Sequence, residues 1–168
     1  MANRRFMFAY EANNVVAPRV MWTTLKNFGI DKMIVVNTSG QQYPQLEGIS
    51  IANEYHQVFD AKDENDKLYS DYKLIFLKPP ESIPGNPQYK GFSKEEFDFT
   101  WLKDFKHPDG DVLYLIGPDQ YTLPLDMVDM YKEDNQFVSL EITRNSLWSI
   151  VAAGIVARDA MIQDKYGK

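Results

Sequence analysis

Two short stretches hold residue types from which a ligand site can be built without any reactive side chain. The first reads Leu115-Ile116-Gly117-Pro118-Asp119-Gln120-Tyr121-Thr122-Leu123-Pro124. Gly117 allows backbone amides to approach a ligand closely, and a helix opening at Pro124 would aim its positive amino terminus at the same place. The second reads Thr143-Arg144-Asn145-Ser146-Leu147-Trp148-Ser149, a polar cluster capping a helix whose first turns are small and apolar through Ala152, Ala153 and Gly154. On residue types alone the first is a tight strand-to-helix turn and the second a helix cap, and neither defines a reaction. Several other chemistries lack their parts. There is no cysteine, hence no thiolate nucleophile, disulfide or cysteine-based zinc site. His56 and His107 stand apart from other ligand types and are expected to be surface residues, with no metal site. The segment from Glu11 to Val16 contains no glycine, so it forms neither a phosphate loop nor a dinucleotide fingerprint.

The elements that must position these stretches follow from periodicity. Runs rich in β-branched, aromatic and other apolar residues predict strands over 5–10, 32–36, 72–77, 112–116 and 137–142. Pro18 opens a helix with Met21, Leu25 and Phe28 on one stripe, which stops near Gly29. Ser93 and Glu96 have capping-box spacing ahead of Phe97, Trp101, Leu102 and Phe105, so a helix is expected inside the enlarged segment 78–111. A last helix over 146–163 is apolar almost all round near its start, which predicts burial on more than one side. The acidic run 60–71 reads as a solvated helix face or loop. Strands alternating with helices predict an α/β fold: one domain over 1–168, with a mostly parallel sheet of five or six strands covered by helices on both faces. Ligands in such sheets bind beyond the carboxyl ends of the strands, where both polar stretches fall.

Length and charge narrow the partners. A chain of 168 residues fits a single domain, and a 44% hydrophobic share supports a packed core. The opening MANRRFMFAY lacks a long apolar core and cleavage site, and no apolar run approaches membrane-spanning length, so the cytoplasm is the expected compartment, with no membrane partner. A net charge of −6 repels a phosphate backbone, so broad DNA-type binding is not expected and any RNA contact must be local. Arg4, Arg5, Arg19, Arg144 and Arg158 are scattered, and Trp22, Trp101 and the many Tyr and Phe read as core or dimer packing, with Tyr114 or Tyr121 as the alternative candidates to stack on a base.

Taken together, these motifs resemble the SpoU branch of the SPOUT superfamily, the ribose 2′-O-methyltransferases of tRNA and rRNA. Gly117, Pro118, Asp119, Leu123 and Pro124 fit that family's Gly-Pro/Asn-Glu-x-x-Gly-Leu-Pro/Ser loop. Ser146, Leu147, Ser149 and the cluster Ala152, Ala153, Gly154 fit its Ser-Leu-Asn-x-Ser-x-Ala-x-Gly run. Tyr10-Glu11, then Asn13 followed by Arg19, then Phe28-Gly29-Ile30 parallel its amino-terminal pattern. The likeness is greatest to the small single-domain methyltransferases of the tRNA wobble position, and weakest over 46–71.

The resemblance implies a carboxyl-terminal trefoil knot, S-adenosylmethionine as cofactor, a homodimer, and an RNA substrate, tRNA before rRNA. It implies that Leu77, Lys78, Pro79, Leu115, Ile116, Gly117, Leu140, Ile142, Ser146 and Leu147 surround the cofactor. Arg19 would be the catalytic arginine, with Asn13, Asp119 and Arg144 towards the substrate. Counted from Asn13 the family arginine is Arg19. Counted back from Gly29 it is Thr23, because this stretch is about one helical turn longer than usual, ~6 Å along the axis. Thr122, Val15 and Trp148 replace family residues Gly, Gly and Asn, each adding bulk beside the implied pocket. The alternative reading is therefore a protein that keeps the fold, has lost the reaction and acts as a binding or regulatory homodimer.

Overall fold

Successive strand-forming runs are joined by helices or long connections, not by hairpin turns, and that connectivity forces neighbouring strands to run parallel. The computed structural model describes residues 4–12, 14–45, 47–77, 99–117, 136–141 and 148–167. The strands are β1 (Arg4–Glu11), β2 (Ile30–Val36), β3 (Ile49–Ala52), β4 (Lys73–Leu77), β5 (Thr100–Trp101), β6 (Gly110–Ile116) and β7 (Gln136–Ser139). They form one sheet in the order β3-β2-β1-β6-β4-β7-β5, with every pairing parallel.

The sheet has seven strands, not five or six. The two extra are short edge strands, β3 and β5. Ile49–Ala52 is too brief for periodicity to separate from loop, and it becomes a strand only through its pairing with β2. At the other edge Trp101 lies in β5, and Leu102–Asp104 makes a single 3₁₀ turn. Trp101 and Leu102 therefore do not lie on the expected helix. Pairing of Thr100 and Trp101 with Val138 and Ser139 outweighs local helical spacing. Ser93, Glu96 and Phe97, the start of that expected helix, lie outside the described residues.

Among the described residues three α-helices flank the sheet: α1 (Ala17–Leu25), α2 (Tyr55–Asp60) and α3 (Ser149–Tyr166). Strand residues alternate between two cores. Tyr10, Met33, Val35, Val112, Tyr114 and Val138 meet Met21 and Leu25 of α1 and Ala153, Val156, Ala157 and Ala160 of α3. Ala9, Ile34, Val36, Phe76 and Leu115 meet Tyr55, Val58 and Phe59 of α2 on the other face. In α3, Val151 is 47% and Ile155 41% exposed, so within the single chain the helix is buried on one face only, against the expectation from its composition. Among the described residues, none covers those two side chains.

Two sequence expectations about polar residues are corrected. Asp63, inside the acidic run, is buried and organises its turn: it accepts from the Asn65 and Lys67 amides at 2.8 and 3.0 Å and from the Tyr72 hydroxyl at 2.7 Å. His107 is not a surface histidine, being 3% exposed beneath α3. Its Nε2 lies 2.7 Å from Asp159 and its Nδ1 2.5 Å from the Tyr114 hydroxyl. A carboxylate can only accept, so Nε2 carries the proton, and in the neutral ring Nδ1 accepts from Tyr114. Tyr114 is thereby sealed in the core and is not available to a base, while Tyr121 lies outside the described residues.

Candidate functional site at the carboxyl edge of the sheet

The parallel register brings the central strands to a common edge. Phe76 is level with Leu115 and with Phe137, and one row further Leu77 is level with Val138. Leu77, Ile116 and Leu140 are all buried and share the core beneath α1 and α3. They make an apolar floor where β4, β6 and β7 end. Leu115 is fully buried too, but its side chain belongs to the core on the α2 face, so only its backbone faces this edge.

Gly117 ends β6, and its carbonyl accepts a hydrogen bond of 2.8 Å from the buried hydroxyl of Ser149, the first residue of α3. That bond unites the two polar stretches of the sequence, although β7 lies two places from β6 in the sheet. From Gly117 the helix runs back along the sheet to His107, which precedes β6. There the Gln163 side chain accepts from the His107 amide at 3.0 Å and donates to its carbonyl at 3.2 Å.

Arg19 reaches the same edge by another route. The strand β1 ends at Glu11, and the Ala12 amide still bonds to the Val36 carbonyl at 3.2 Å, so the turn into α1 starts at the carboxyl ends of β1 and β2. Asn14 accepts from the Val16 and Ala17 amides at 3.0 and 2.7 Å, capping α1. Tyr43 donates to the Asn14 carbonyl at 3.1 Å and pins the turn. Arg19 follows in the first turn of α1 with an exposed side chain. Thr23 is one turn further from the edge, and its hydroxyl is spent on the Arg19 carbonyl at 2.9 Å. Of the other nominated residues, Asn13, Lys78, Pro79, Asp119, Ile142, Arg144, Ser146 and Leu147 lie outside the described residues.

Glu11 has a role that its place in a Tyr-Glu pair did not disclose. Its carboxylate accepts from Thr38 at 2.9 Å and from Tyr55 at 3.0 Å, fastening the end of β1 to the turn after β2 and to α2. Burial first, and then the adjacent Glu11 carboxylate, hold the Tyr55 phenol well above its ordinary value of 10.0. The unfolded chain releases this proton near pH ~10 while the fold retains it, so stability falls as the pH rises beyond that value. In urea titrations Tyr55→Phe is expected to flatten the alkaline loss and to cost about 1 kcal/mol at neutral pH for the missing hydrogen bond. An unchanged alkaline slope would contradict this assignment.

Two of the three residues that depart from the resembled pattern are turned away from the edge. Val15 is 41% and Trp148 68% exposed, so the bulk of both is turned to solvent and not into the apolar floor. Thr122 lies outside the described residues.

No protein-family model and no curated protein matches the sequence. Solved structures do match in fold. The A. aeolicus TrmH/SpoU tRNA modifying enzyme is similar with a TM-score of 0.64 at 13% identity, covering 98% of this chain and 77% of that one. The SpoU methyltransferase AviRb from Streptomyces viridochromogenes, in complex with the cofactor AdoMet, gives 0.64 at 12% identity, covering 98% and 62%. A structure concerned with 2-OH methylation of C/U34 on tRNA gives 0.64 at 13% identity, covering 95% and 90%. The chain has the α/β fold shared by these SpoU-type structures.

Proposed function

We propose that this protein is a cytoplasmic S-adenosylmethionine-dependent RNA methyltransferase, acting on a ribose 2′-hydroxyl, with tRNA as the favoured substrate. The observation that carries the reading is the Ser149 to Gly117 bond, which unites the two motif loops over an apolar floor at the carboxyl edge. Such a floor with backbone groups at its rim fits an adenine ring, held by carbonyls and amides and sandwiched by Leu77, Ile116 and Leu140. Lys78, Pro79, Ile142, Ser146 and Leu147 would complete that surround. The cofactor supplies an electrophilic methyl group. Arg19 does the rest by orienting the ribose hydroxyl and its neighbouring phosphate with a planar, always charged guanidinium, while Asn13, Asp119 and Arg144 border the RNA.

The same reading includes a trefoil knot. It is supported by two placements: β7 lies two places from β6 in the sheet, with β4 between them, yet Ser149 opens α3 on Gly117 just after β6. It also includes a homodimer, supported by exposed apolar side chains at Trp148, just before α3, at Val151 and Ile155 on α3, and at Val16 and Val20 at α1.

The test is a calorimetric titration of S-adenosylmethionine into protein whose mass by sedimentation is twice 19.5 kDa. Saturable heat, followed by transfer of labelled methyl groups to tRNA, is the expected result. The absence of both a binding heat and any shift in melting temperature would remove the enzyme reading.

A further inference from the structure

On the face opposite α1 and α3, the sheet and α2 enclose a small cavity that plays no part in the proposed reaction. Its volume is about 160 Å³, less than a drug-sized ligand needs. The floor is apolar, made by Ile34, Ala52 and Val58. The rim carries Lys32, Ser50, Gln57, Lys62 and Tyr69 and no carboxylate, in a chain whose acidic residues outnumber the basic ones by 24 to 18.

Every rim group can donate. Lys32 is partly buried, and its Nζ donates at 3.2 Å to the Tyr69 hydroxyl, which leaves the Tyr69 proton free to point elsewhere. Among the described residues no carboxylate lies within ion-pairing distance of Lys32. A half-buried ammonium served by one phenol is an incomplete environment, because removing it from water costs more than a single neutral hydrogen bond returns. Lys62 does pair with Asp66 at 3.1 Å, but those side chains are 51% and 84% exposed, so the pair is weak and readily exchanged for a better anion. Gln57 accepts from the Asn53 amide through Oε1 at 2.7 Å, which leaves its NH₂ group to donate.

We propose that this cavity is a phosphate-binding site. Two ammonium groups and three neutral donors over a shallow apolar floor suit a compact oxyanion with several acceptor oxygens, and the absence of any carboxylate on the rim excludes a cation. Lys32 precedes Val36, the last residue of β2, by four positions, which places Lys32 ~13 Å from the carboxyl edge, while Ala52 on the far side of the cavity is level with Val36. The phosphate belongs either to a small free molecule or to the backbone of an RNA that crosses the sheet edge on its way to the candidate active site. Only the second source rests on the functional reading.

The experiment follows backbone amide NMR shifts of the intact protein as inorganic phosphate is added through the millimolar range. Saturable shifts are expected at Ser50, Ala52, Lys62 and Tyr69, abolished in Lys32→Gln, retained in Lys32→Arg and weakened several-fold in Lys62→Gln. Unaltered melting temperatures show that the variants are folded. Shifts that never saturate, or that persist unchanged in Lys32→Gln, overturn the site. A second arm measures tRNA affinity against salt. A slope that falls by about 1 in Lys32→Gln assigns the phosphate to the RNA backbone, and an unchanged slope beside Lys32-dependent phosphate binding assigns it to a small molecule. Should the protein bind no RNA, the functional reading fails while the phosphate arm stands by itself.

Discussion

Arg19→Ala is expected to lower kcat/KM for RNA methylation by ~100-fold or more, the range for losing a group that handles the reacting proton, while S-adenosylmethionine affinity stays within about twofold. The separation follows from geometry: Arg19 is exposed on α1, whereas the apolar floor proposed for the cofactor is built from residues at the ends of β4, β6 and β7. Arg19→Lys should recover little, since an ammonium reproduces the charge but not the planar fork that could hold phosphate and hydroxyl together. Thr23→Ala is the internal control. Its hydroxyl already bonds within the helix, so its removal should leave turnover nearly unchanged. If Thr23→Ala proved the damaging change and Arg19→Ala the silent one, the assignment counted from Asn13 would be wrong and the one counted from Gly29 right. The extra turn of α1 would then be absorbed between Asn13 and Thr23 instead of between Arg19 and Gly29.

A second large effect is expected far from that edge. His107→Leu should destabilise the protein by about 2–4 kcal/mol, since the buried ring links Asp159 and Tyr114 and a leucine leaves both without the group that joins them. The lower end allows for the 25% exposure of Asp159, which water can partly serve. For a chain of this length the melting temperature should drop by about 5–15 °C. Tyr114→Phe removes one bond and keeps the Asp159 contact, so a loss of about 1–2 kcal/mol is expected. Denaturant unfolding measures both. A loss below about 0.5 kcal/mol in His107→Leu, within the range of ordinary surface substitutions, would show that the cluster does not hold α3 to the sheet. The residues concerned join α3 to the segment just before β6, so hydrogen exchange should rise along 156–166 before it rises in β1.

Much of the architecture was legible in local signals. Runs such as 112–116 are apolar on both faces of a buried parallel strand, Pro18 and Gly29 bracket the first helix and its last turn, and strand-helix alternation requires parallel pairing. The end of β6 before Gly117 and the start of the last helix near Ser149 were legible for the same reason, since glycine and capping residues have local conformational consequences. The edge strands were not, because four residues of Ile49–Ala52 and two of Thr100–Trp101 acquire strand geometry from β2 and β7 and not from their own propensity.

What the amino-acid order determined by itself was therefore composition, the long central strands, the helix ends and the presence of two polar stretches. Only tertiary structure decided which side chains meet: Ser149 with Gly117, Glu11 with Tyr55, and His107 with Tyr114 and Asp159. Partners separated by 32, 44 and 52 positions carry no periodic or propensity signal. A hydrogen bond depends on distances of about 3 Å, and those are set by strand order and helix placement, which the whole chain fixes at once.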